Sequence, residues 1–254
     1  MTSVFSLRGK RAVVTGGSRG IGAAVSRLLA EQGADVCVGY RSRAAEAEAL
    51  VAELTARGVR SVAHGSDLGE STGADSLIDA AVQAFGGLDI VVHSAGIWPP
   101  EDVPVAEMTD AHWHRTMRAN VDATFFISRA ASRALSDGGR IVHVASTAGQ
   151  RGEAFHADYA ASKGAMISFV KSHAQEVARR GITVNAVAPG WVDTEMCALP
   201  FSGGGRARIE AGIPNGRVAT AEDIAVAVVA LCMPGMRHVV GEIVNVNGGS
   251  VLCG

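Results

Sequence analysis

A chain of 254 residues that is 48% hydrophobic and 19% charged is long enough to bury one large α/β core. A formal net charge of −2 leaves no cationic surplus for nucleic acid or an anionic membrane. The expected partners are small molecules or other proteins, with no nucleic acid and no membrane among them.

The first β-branched run predicts a strand over Arg11–Thr15, followed by a helix over Ile21–Gln32. The next pairs are Asp35–Tyr40 with Ala44–Arg57, Ser61–His64 with Thr72–Phe85, and Leu88–His93 with a long helix over Thr109–Leu135. Arg140–Ala145 then precedes a helix over Ala157–Arg180, and Thr183–Val187 precedes one over Glu222–Met233. Glu242–Val246 closes the series. Short β-branched runs alternating with Ala-rich amphipathic stretches build an α/β fold, a doubly wound parallel sheet of about seven strands with helices on both faces. Gly33, Gly58, Gly86-Gly87 and Gly138-Gly139 follow predicted helices, where a left-handed C-cap favours glycine.

No repeat, low-complexity tract or linker interrupts the alternation, so residues 1–254 are expected to form a single domain. Trp191 to Pro214, with Gly203-Gly204-Gly205, has no periodicity and predicts a mobile loop beside the site. Met1 to Lys10 lacks the apolar core of a signal peptide, and the longest apolar run, Ile224 to Met233, is about half of what a membrane helix needs. Cys37, Cys197, Cys232 and Cys253 show no metal or disulfide spacing. A cytoplasmic location is expected.

The first predicted strand runs through Thr15-Gly16-Gly17-Ser18-Arg19-Gly20-Ile21-Gly22 straight into a helix. Glycines let the backbone approach a pyrophosphate, and the helix N-terminus offers free N–H groups and a positive dipole end. The turn is not followed by Lys-Ser or Lys-Thr, which excludes a P-loop nucleotidase. An NAD-binding chain places a carboxylate near the end of its second strand to meet the ribose 2′-hydroxyl. This one has Tyr40-Arg41-Ser42-Arg43. Arg41, with Arg19 closing from the turn, suits a 2′-phosphate, so the expected cofactor is NADP(H). Asp67 is expected either to meet the adenine edge or to cap a helix.

Tyr159 and Lys163, four residues apart on a predicted helix, share one face. Ser146 ends the strand upstream, and strand C-terminal ends line the ligand crevice of a doubly wound sheet. With Asp67-Leu68, Ser94-Ala95-Gly96, Asn120 and Pro189-Gly190 through Thr194 in order, the chain resembles the short-chain dehydrogenase/reductase family along nearly all its length, most like its 3-oxoacyl-carrier-protein reductases. That resemblance implies a single-domain Rossmann fold and reduction of a ketone to a secondary alcohol.

The resemblance also implies Tyr159 as general acid/base, Ser146 holding the carbonyl oxygen, and Lys163 lowering the Tyr159 pKa while bonding the nicotinamide ribose. Asn120 would support a water reaching Lys163. Cofactor contacts are implied for Gly16, Ser18, Gly20, Ile21, Ser42, Leu68, Ser94, Ala95 and Gly96, and beyond the active-site helix for Pro189, Gly190, Val192 and Thr194. Ser94 stands where the family has Asn, and a less rigid cofactor site is expected. A silent cofactor-binding regulator of this fold would be expected to lack Tyr159 or Lys163.

Trp98, Pro99-Pro100, Phe155 and Trp191 are candidates to wall a substrate pocket. His112, His114, His143, His156 and His173 lack a carboxylate or Cys at ligand spacing, and no metal is expected. The resemblance implies a carbonyl substrate, small or carrier-bound, for which Arg133 suits an acidic carrier while Gln175 replaces a second arginine. A sugar, polyol, cyclic or secondary-metabolite ketone stays open. The family's usual assembly implies a homotetramer.

Overall fold

A computed structural model describes residues 5–253, so the reading of Met1–Val4 as free of a leader and the last residue of the expected domain, Gly254, lie outside the described residues. Among the described residues one parallel sheet contains β1 (Arg11–Thr15), β2 (Asp35–Tyr40), β3 (Ser61–Gly65), β4 (Leu88–His93), β5 (Leu135–Val144), β6 (Thr183–Pro189) and β7 (Ile243–Val246). Their spatial order is β3-β2-β1-β4-β5-β6-β7. A sheet covered on both sides needs apolar side chains on both faces, and every residue of β4 and β6 is buried.

Successive strand residues point to opposite faces, which divides the core in two. Val14, Val92 and Val142 pack with α1 (Gly20–Glu31), α2 (Ala44–Ala56) and α10 (Ala221–Cys232). Their neighbours Val13, Val91 and Ile141 pack with α3 (Ser71–Phe85), α5 (Ala123–Ala134) and α7 (Ala157–Val177). α10 begins with a reciprocal capping box between Thr220 and Asp223, which satisfies its first free N–H groups.

Three expectations need correction. The long helix over Thr109–Leu135 is α4 (Asp110–Met117), a π-helical turn over Arg118–Asp122, and then α5. The Thr124 hydroxyl donates to the Asn120 carbonyl at 2.6 Å, a local bond that competes with the regular ladder. β5 starts at Leu135 rather than Arg140, with a register shift against β4 between Leu88 and Ile90. The segment read as a patternless loop is helical in pieces: a 3₁₀ turn over Glu195–Cys197, α8 (Ala198–Phe201) and α9 (Gly205–Ala211). Gly203 and Gly204 adopt φ of 56° and 80°, and so join α8 to α9 through backbone that other residues rarely adopt. Arg206 bonds Asp193 at 2.6 Å and Glu210 at 3.1 Å, holding α9 to the chain before it. Among the described residues no helix is long and apolar enough to cross a membrane.

Asp89 ties the entry of β1 to β4. Its carboxylate accepts from the Arg11 backbone N–H at 3.0 Å and Nε at 2.7 Å, with Lys10 Nζ at 3.6 Å. Burial alone would raise this carboxyl, but the Arg11 hydrogen bond and the two nearby cations hold it below the ordinary carboxylate value. Asp89→Asn is expected to destabilise the fold by about 1–3 kcal/mol at neutral pH. A depressed folded pKa adds stability only above the unfolded value, so the gap from wild type should narrow as pH falls below about 4. Urea melts of both proteins across pH 3–7 check this; a gap constant with pH would reject it.

Candidate active site

After β1 the chain crosses to β2, while β4 lies on the other side of β1, so the winding direction reverses between β1 and β4. The glycine turn fills that crevice. A Cβ on Gly16, whose φ is 61°, would lie 2.9 Å from Ala95 Cα. One on Gly22 would lie 2.2 Å from the Gly16 carbonyl oxygen, so only glycine lets the turn close on itself. Arg19 precedes α1 without capping it through its side chain, which leaves the first-turn N–H groups to face the cleft.

A cavity of about 240 Å³ follows this turn. Gly16, Ser18, Arg19, Gly20 and Ile21 line it from β1, and Arg41 and Ser42 from the end of β2. Asp67 and Leu68 line it after β3, Ser94, Ala95 and Gly96 after β4, and Thr194 from the far side. The residues present therefore fit an elongated dinucleotide, with a pyrophosphate cradle at one end and guanidinium groups beside the β2 rim. Where the family's Asn would brace the β4 exit, Thr15 Oγ1 accepts from the Ser94 and Ala95 backbone N–H groups at 3.1 Å each.

Asp67 neither caps α3 nor stands free. It accepts from the Gly69 N–H at 3.0 Å and from Arg118 at 3.1 Å, and these bonds, with the charge of Arg41, hold its carboxyl down. Arg19 does not stand alone either: it is bonded to Glu195, with Arg43 at 3.6 Å from the same carboxylate oxygen. Glu195 escaped the sequence reading because no local spacing links it to the turn.

A second cavity, of about 510 Å³, continues from the first and is lined by Ser146, Tyr159, Lys163, Pro189, Gly190 and Val192. The Ser146 hydroxyl accepts from the Ala148 N–H at 3.1 Å and hydrogen-bonds the Tyr159 side chain. Burial pushes the Tyr159 phenol above its ordinary pKa; the Ser146 bond draws it back, and Glu153 and Cys197 push it further up. Lys163, expected to lower the phenol, donates its ammonium to the Val144 carbonyl at 2.8 Å, and burial draws its own pKa down to about 8.

Asn120 lies behind both cavities, fully buried on the π-helical turn. Its Oδ1 accepts from the Ile97 N–H at 2.8 Å while its Nδ2 donates to the Ile97 carbonyl at 3.0 Å and to Ser162 Oγ at 2.9 Å. Ser162 in turn donates to the Tyr159 carbonyl at 2.7 Å. The side-chain amide fastens the β4 exit to α7.

Trp98 and Trp191 line the second cavity edge to face at 6.0 Å, and Trp98 stacks on His156 at 4.7 Å. Phe155 does not join them: it is 53% exposed, at a backbone φ of 66°. Pro99 and Pro100 do not line the cavity. Three charged lining residues escaped the sequence reading, Arg151, Glu153 and Arg208. Glu153 is half-buried, and burial raises its pKa. His112, expected to have no carboxylate, meets the buried Asp158 at 3.2 Å, a pairing made by helix packing of α4 on α7 rather than by sequence spacing. Among the described residues no group of His, Cys, Asp and Glu could hold a metal ion.

A doubly wound sheet with a glycine turn at its switch point and a Ser–Tyr–Lys group beside it defines a nucleotide-binding oxidoreductase of the α/β class. Known proteins resemble it over nearly all of its length. The family model described as enoyl-(acyl carrier protein) reductase matches residues 16–250. The 3-oxoacyl-(acyl-carrier-protein) reductase FabG of Vibrio cholerae is 39% identical, over 96% of this chain and 98% of its own. A hydroxynaphthalene reductase-like protein of Metarhizium guizhouense is 39% identical, over 97% and 96%. A short-chain dehydrogenase from Burkholderia cenocepacia, solved in complex with NADP, is 38% identical with a TM-score of 0.90, over 96% and 98%. This chain belongs to the short-chain dehydrogenase/reductase family and is an oxidoreductase.

Between Ser146 and Tyr159 the chain forms α6 (Ala148–Arg151), which packs directly on α7. A Cβ on Gly149 would lie 2.5 Å from the Lys163 carbonyl carbon and 2.7 Å from the Gly164 nitrogen, both backbone atoms that cannot swing aside. Gly149→Ala is therefore expected to cost about 1–3 kcal/mol, a fall in Tm of about 3–10 °C. Turnover should fall by more than tenfold as Tyr159 and Lys163 are displaced from Ser146. Thermal melts alongside turnover test the point, and a variant with wild-type values of both would refute it.

Proposed function

We propose that this protein is an NADP(H)-dependent ketone reductase, with a 3-oxoacyl thioester as its substrate and Tyr159 as the proton donor. The observation that carries the reading is the meeting of Ser146, Tyr159 and Lys163 in one cavity that continues into the glycine-turn cleft, with Arg19 and Arg41 at the rim of that cleft. The names of the relatives agree with it: carrier-protein reductase for one, an NADP complex for another.

When bound, the nicotinamide supplies the hydride. The Ser146 hydroxyl, held in place by the Ala148 N–H and its bond to Tyr159, donates to the carbonyl oxygen and fixes where negative charge develops. The Tyr159 O–H gives its proton to that oxygen as the alcohol forms. Burial keeps the phenol protonated but makes it a weak acid, so a neighbouring cation must stabilise the phenolate that remains. Lys163 is the buried cation on the same helix face, 5.8 Å from the ring centre. The ribose hydroxyls offer it acceptors to replace the Val144 carbonyl. Asn120 holds this helix against the β4 exit.

An exposed Arg133 near the end of α5 favours an acidic carrier, although Gln175 on α7 gives no second cation. A cyclic or aromatic ketone is the second reading, favoured by the Trp98, Trp191 and His156 surfaces and by the hydroxynaphthalene reductase-like relative. We also infer a homotetramer. It is supported by exposed Phe125 on α5 and exposed Leu252 after β7, and light scattering would test it.

Oxidation of NADPH and NADH should be followed against acetoacetyl thioesters, a sugar ketone and a cyclic diketone. Faster turnover of thioesters with NADPH is expected. Activity on the diketone alone would move the substrate to the second reading, and silence on every ketone would refute the reductase. Tyr159→Phe should lower kcat by about 10²–10⁴-fold while NADPH binding, read by titration, stays within twofold. An active Phe variant would remove Tyr159 from the role.

A further inference from the structure

The dinucleotide cleft contains a carboxylate at the place where the end of β2 offers only arginines. We propose that Glu195 sets how strongly this protein prefers a 2′-phosphorylated dinucleotide over one with a free 2′-hydroxyl, an inference that rests on the cofactor reading above.

Glu195 follows Thr194, whose methyl group lies 3.4 Å from where a Gly20 Cβ would be, so the chain beyond β6 is laid directly on the glycine turn. From there the Glu195 carboxylate enters the first cavity together with Arg19, Arg41, Ser42 and Arg43. One of its oxygens lies between two guanidinium groups, bonded to Arg19 and 3.6 Å from Arg43. Arg43 is also held by Glu46 at 2.9 Å. Three arginines around one rim suit a doubly charged phosphate.

A carboxylate at the same point has the opposite selectivity. It accepts a hydrogen bond from a ribose 2′-hydroxyl, and it repels a phosphate that competes for Arg19 and Arg43. In a doubly wound fold this carboxylate ordinarily comes from the end of the second strand. Here Tyr40-Arg41-Ser42 occupies that end, and the acid arrives from the chain after β6. A phosphate must break the Arg19–Glu195 pair to gain Arg19, whereas a hydroxyl leaves the pair intact. Glu195 therefore narrows the gap between the two dinucleotides that the arginines alone would open. Its side chain is 63% exposed, so the effect is of the size of a surface ion pair.

The test is the dissociation constants of NADPH and NADH, measured by fluorescence titration on the intact wild type, Glu195→Gln, Glu195→Ala and Arg41→Ala. Removing the charge should tighten NADPH about fivefold at low salt, the equivalent of about 1 kcal/mol for an exposed pair. NADH should be unchanged or weaker, and the gain should shrink in high salt. Glu195→Ala should share the NADPH gain if Gln disturbs the local chain. An NADPH-to-NADH affinity ratio within twofold of wild type in both folded Glu195 variants overturns the inference. If Arg41→Ala still weakens NADPH in that case, the cofactor reading survives alone. A wild type without NADPH preference, indifferent to Arg41→Ala, removes both.

Discussion

A parallel sheet covered on both faces leaves its central strands little contact with solvent except at their ends, and in this chain that constraint fixes where chemistry can occur. The residues of β4 and β6 are buried throughout, and most of them carry packing. Polar function is displaced to the C-terminal edge. There the glycine turn follows β1, Arg41 follows β2, Asp67 follows β3, Ser94 follows β4, Ser146 follows β5 and Gly190 follows β6. The reversal of winding between β1 and β4 opens the crevice into which these residues converge.

Convergence alone does not set distances between groups on separate strands. Here main-chain contacts do it. Asn120 binds both backbone groups of Ile97 and reaches Ser162, whose hydroxyl holds the Tyr159 carbonyl. The absence of a side chain at Gly149 lets α6 rest on the backbone of α7 between Lys163 and Gly164. The π-helical turn belongs to the same arrangement, since Asn120 lies within it and is fully buried.

The sheet was legible in the residues because buried parallel strands are rich in β-branched and apolar residues, and β1, β2 and β4 begin and end where their runs predict. Ser146, Tyr159 and Lys163 were legible because each belongs to an element with clear periodicity and the structure brings all three to one cavity. The break at Arg118–Asp122 was hidden, since Arg118-Ala119-Asn120-Val121-Asp122 has no apolar stripe of its own whose shift could mark it. α8 and α9, at four and seven residues, are too short for a hydrophobic stripe, and they are held by Arg206 and by glycine geometry instead. Glu195 and the His112–Asp158 pair were invisible for another reason: each interaction joins residues far apart in the chain, and neither partner marks its local sequence.

The Gly149 contact has a consequence for how such a protein changes over time. The separation of Ser146 from Tyr159 and Lys163 is thus held by peptide backbone. The cavity wall opposite, at Trp98, Trp191 and Arg208, is made of side chains on other segments. Substitutions there can reshape the room given to a ketone without shifting the proton donor. One scaffold can thus be passed among many substrates while its acid stays where it was.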